Sequence, residues 1–89
     1  MDFDDKKKSL YRSYKGCRDM LHAIQDEERS QRDTYKLLEE KLSAAPGYER
    51  PVLARQCNEI LMNIENLVHD RNQMHGIVGK IAGSIAAMR

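Results

Sequence analysis

The sequence predicts an all-α protein: a long antiparallel helical hairpin, a two-helix coiled coil that completes a four-helix bundle by oligomerisation. Three observations predict it. Apolar residues recur at alternating four- and three-residue spacings along both halves of the 89-residue chain, which is the heptad rule of helices that pack along a seam. A Pro-Gly pair breaks that rhythm near the middle. The final stretch, MHGIVGKIAGSIAAMR over 74–89, carries a stripe of small residues behind its apolar one.

Composition narrows the class. Charged residues make up 33% and apolar residues 40%, with few Gly and Pro, a balance typical of coiled coils. The net charge of +1 points to no polyanion as the main partner. Residues 1–45 hold ten basic and ten acidic side chains, residues 46–89 only five and four, so the C-terminal half is the stickier one. No run reaches the roughly 18 apolar residues of a membrane span, and the N-terminal MDFDDKKKSLYRSY lacks the apolar core of a signal peptide. Two cysteines without such a signal are expected to be reduced thiols. A cytoplasmic protein is the expectation.

The first helix is expected over about 4–43. Asp4 or Asp5 can cap its start and complement the helix dipole. Tyr14, Leu21, Tyr35 and Leu42 fall at heptad position a; Leu10, Cys17, Ile24 and Leu38 fall at d. The register runs on through the polar stretch DEERSQRD, where Glu28 takes an a position and Gln31 a d position. Gly16, at c, costs about 1 kcal/mol relative to Ala in a helix. Lys6, Lys7 and Lys8 read as a solvated helix start.

A turn is expected over 44–50. Pro46 cannot continue a helix, Gly47 permits a positive φ, and Pro51 suits the first position of the next helix. Tyr48 is expected to pack over the hairpin end.

The second helix is expected over about 51–88. Its seam reads Leu53, Cys57, Ile60, Ile64, Leu67, Arg71, Met74, Val78, Ile81, Ile85 and Met88, again with one charged position near the middle. Antiparallel pairing about residues 47–48 sets Leu42 against Leu53, Glu28 against Leu67 and Ile24 against Arg71. Glu28 and Arg71 then lie about one turn apart, within reach of an arginine. The plainer reading of this polar gap is a wet, locally loose waist in a long coiled coil; the sharper one makes Glu28, Gln31 and Arg71 a polar core layer that sets the register. The same register separates Cys17 from Cys57 by about 30 Å, which precludes an internal disulfide.

Catalytic signatures are missing: no H-E-x-x-H, paired C-x-x-C, phosphate loop or nucleophile elbow. His22, His69 and His75 lack a carboxylate at ligand spacing and are expected on the surface. Basic residues of the first helix are interleaved with Asp19, Glu27, Asp33 and Glu39, as in helix-stabilising pairs. An enzyme, a cofactor, a metal and a small-molecule substrate are thus not expected, and nucleic acid is a remote third reading. What remains is association. Glycines at 76, 79 and 83 cost about 1 kcal/mol each, which makes sense where another helix approaches closely. Gly76, Gly79, Ala82, Gly83 and Ala86, with Ile77, form the expected partner interface. The partner is a protein, either a second copy or another helical chain.

In outline the chain resembles small helical-hairpin families: the Rop-like proteins that dimerise into four-helix bundles, and the exported hairpins, needle subunits and small chaperones of bacterial secretion systems. That likeness implies a secretion-linked chaperone or exported subunit as the alternative function. No motif accompanies it. The Trp-x-Gly turn of one exported group is replaced by Pro46-Gly47-Tyr48, and the chain has no Trp.

Overall fold

The computed structural model describes residues 3–88 and consists of two helices, α1 (Phe3–Ala44) and α2 (Arg50–Ala87), packed side by side. The molecule measures 68 × 17 × 14 Å between Cα atoms. Its radius of gyration is 19.9 Å, whereas a compact domain of this length would have about 12 Å.

The heptad pattern explains the packing. Every seam position from Leu10 to Leu42 and from Leu53 to Met88 is buried or half-buried. Outside the seam the surface is exposed, save for Lys7 near the start of α1, Ala45 in the turn, and Gln25, Ala54 and Val68. Those last three share heptad position e, so one flank of the hairpin is more enclosed than the other. The core itself is thin. Leu21, Cys57, Ile64 and Ile85 are the buried apolar side chains, and among the described residues none is below 2% exposed. Cys17 and Cys57 are free thiols, half-buried and buried.

The turn differs from expectation in three details. Gly47 has no positive φ. The chain reverses through a turn closed by Glu49 N–H donating to Pro46 O at 3.0 Å, after Ala45 N–H has tightened the end of α1 by donating to Leu42 O at 3.3 Å. Neither step needs the left-handed region. Because α2 begins at Arg50, Pro51 occupies its second position rather than its first. It is harmless there too, since the first four helical N–H groups have no partner inside the helix. Tyr48 does not close the hairpin end. It is 81% exposed, at the rim of an open hollow shared with Pro46, Val52 and Leu53.

Asp4 and Asp5 lie inside the first turn of α1. They act on the dipole from that turn rather than as the capping residue. No helix of the described residues is long and apolar enough to cross a membrane.

Candidate interaction site

Halfway along the seam the apolar layers give way to charge. Glu28 is only 6% exposed. Arg71 Nη1 reaches across from α2 to within 2.9 Å of its Oε1 and donates to its Oε2 at 3.1 Å. Arg32, one turn along α1, donates from Nε to the same Oε2 at 3.0 Å. Heptad arithmetic brings Arg71 here. Arg32 is the partner that reading overlooks, because an i,i+4 neighbour on a charged helix passes for a surface pair. Both hydrogen bonds converge on Oε2, and Oε1 faces the Arg71 charge without a well-aligned bond.

Gln31 completes the polar layer differently. Its Nε2 donates to Glu27 Oε1 at 3.0 Å, on the surface of α1. Its own oxygen is buried without a partner, an arrangement that typically costs about 1–3 kcal/mol. Reversing the amide would set that oxygen against the Glu27 carboxylate, so the observed orientation is the better of the two.

Seen from outside, the layer opens onto a hollow lined by Gln25, Glu28, Arg29, Arg32 and Arg71. Three arginines share it with one carboxylate. The hollow lies on the more enclosed flank, where position e of α1 runs alongside position e of α2. Tyr11 and Ala82 line a smaller hollow together on this flank. Fourteen residues further along each helix, the same antiparallel spacing sets Gln25 opposite Val68. Half that step again sets Arg32 opposite Leu61. Val68 is half-buried and Leu61 is 38% exposed. This flank therefore sets the apolar α2 side chains Val68 and Leu61 beside the arginines of the hollow.

The small-residue surface of α2 borders the same flank. Gly76, Gly79, Ala82, Gly83 and Ala86 are all exposed. A Cβ added at any of the three glycines would meet nothing within 4 Å, so nothing inside the hairpin requires them. Ile77, 44% exposed, does not join this surface. At 100° per residue it sits about 120° around the helix from the glycine stripe. It belongs to the opposite flank, where Glu27 and Asn63 line a hollow.

Nearer the turn, the Glu39 carboxylate lies one turn along α1 from Tyr35; its hydrogen-bonding pull on the phenol, then burial, raises the Tyr35 pKa above the ordinary value. A raised folded pKa means the contribution is present below the unfolded value, about 10, and disappears as pH climbs through the folded one. In an alkaline absorbance titration of the native protein, Tyr35 should ionise above the ordinary phenol range. Tyr35→Phe should remove that late step.

His22, His69 and His75 are exposed, and no group of three or more His, Cys, Asp or Glu among the described residues is placed to hold a metal ion. Comparisons with family models, with curated proteins and with solved structures find no match to this chain.

Proposed function

We propose that the protein is a non-enzymatic interaction subunit whose hairpin is one half of a larger helical assembly. Its glycine-lined flank packs against further helices, either those of a second copy in a four-helix bundle or those of another helical protein. One observation carries this reading: the hairpin encloses too little of itself. Its accessible surface is 6757 Å², against about 5,350 Å² for a compact monomer of its mass. The excess, about 1,400 Å², is larger than the roughly 800 Å² that one partner contributes to a standard interface. Helix–helix burial is where that surface would go, since α2 presents a low, glycine-lined face next to Leu61 and Val68. The two seam thiols suit a reducing compartment such as the cytosol.

Light scattering on the purified protein tests this directly. The expected mass is a multiple of 10.3 kDa, or that of a complex with a co-purifying helical protein. Gly79→Leu with Gly83→Leu should reduce it to the monomer while the helical signal is kept. A wild-type monomer that purifies alone, is well folded and is indifferent to both substitutions would overturn the proposal.

A further inference from the structure

The arginine hollow beside the e positions specifies the charge of whatever packs there. We infer that it receives an acidic side chain from a partner helix lying in the groove between α1 and α2. The inference rests on the association reading above and deepens it.

The argument starts from donors. Arg32 uses Nε and Arg71 uses Nη1 to hold Glu28. Both guanidinium groups have further N–H groups not used in those bonds. The Arg32 side chain is 55% exposed and that of Arg71 is 31% exposed. Arg29, exposed on the rim of the same hollow, pairs with no carboxylate within 4 Å among the described residues. Three positive charges thus meet one negative charge, and that carboxylate lies at the buried end. A second carboxylate entering from outside would find forked donors in place.

The apolar neighbours identify the carrier of that carboxylate. Val68 and Leu61 stand on the α2 side at the level of Gln25 and Arg32, with Ala82 and Gly79 further along the same flank. A small free anion has no use for them. A helix with apolar residues on one edge and a glutamate or aspartate on the other uses both. Such a helix would also cover the e positions that the hairpin already half-encloses, which makes a three-helix layer from two.

The experiment uses a synthetic amphipathic peptide of about 20 residues, some 30 Å of helix, with Leu and Ala on one face and Glu along its edge. Its counterpart has every Glu replaced by Gln. Titration calorimetry on the full chain at low ionic strength should show the acidic peptide binding at least about tenfold tighter. That margin should shrink as salt is added. Arg29→Glu should remove it without shifting the melting temperature. Lys8→Glu, the same charge change away from the hollow, should leave most of it. Leu61→Gln should weaken both peptides alike. Equal binding of the two peptides, or equal effects of Arg29→Glu and Lys8→Glu, would overturn the inference. So would inorganic phosphate saturating the site while neither peptide binds. If neither peptide binds but light scattering still shows an oligomer, this inference fails and the association reading stands.

Discussion

Replacing Glu28 by Lys is expected to unfold a large share of the protein at room temperature. The carboxylate is 6% exposed and is the acceptor that both Arg32 and Arg71 share. Removing one member of a fully buried pair costs about 3–5 kcal/mol, and less here, because Arg32 and Arg71 keep 55% and 31% of their side-chain surface in water. Reversing its sign adds repulsion to that loss. Small domains carry only about 5–15 kcal/mol in total, and a hairpin with no fully enclosed side chain among its described residues belongs at the low end. The loss should appear as a fall in melting temperature of more than about 10 °C by circular dichroism. Combining Glu28→Arg with Arg71→Glu restores an opposed pair across the seam. Recovery should be partial, because Arg32 remains one turn away and now faces a like charge. A coupling of at least about 1 kcal/mol in the double-mutant cycle is expected. Purely additive effects would mean that the contact does not set the register. Glu28→Leu with Arg71→Leu asks a different question. Apolar replacements of such pairs are often neutral or stabilising, so this variant should stay helical while losing the layer that distinguishes one register from another.

That layer shows what a sequence can and cannot reveal about a hairpin. Seam positions are legible because the four-three alternation states which side of each helix is covered. Leu10 through Leu42 and Leu53 through Met88 all lie on the covered side. Glu28 and Arg71 are legible as a pair because each breaks the same pattern at matching distances from the turn. The turn is less legible. Gly47 allows a positive φ without requiring one, and the choice depends on how Pro46 and Glu49 close the backbone. The exposure of Tyr48 likewise depends on where the two helix ends stop. The flank is hardest to read. Heptads separate inside from outside, but they do not say which edge of the seam the paired helices leave open. Hence the share Arg32 takes in holding Glu28 does not show in the heptads, and Ile77 reads as part of a glycine stripe that lies on another side of α2.

Glycine-to-alanine substitution at all three of Gly76, Gly79 and Gly83 should raise the stability of the isolated hairpin substantially. Each glycine costs about 1 kcal/mol relative to alanine inside a helix. The added methyl groups meet nothing within 4 Å, so no clash offsets the gain. Roughly 3 kcal/mol in total corresponds to a rise of more than about 10 °C in melting temperature for a domain of this size. Measured at low concentration, where any assembly has dissociated, the triple variant should melt above the native protein. A triple variant no more stable than the parent would mean that this part of α2 is not helical in the isolated hairpin. Association should move the other way. If a partner helix lies along this face, raising the surface by three methyl groups holds its backbone further off. The mass measured at high concentration should then fall while the melting temperature rises. The opposed signs are the diagnostic, since fraying or simple misfolding of the helix end would lower both together. A chain that keeps three exposed glycines in one helix forgoes stability that alanine would supply, and close approach by another helix is the physical return that this surface is shaped to give.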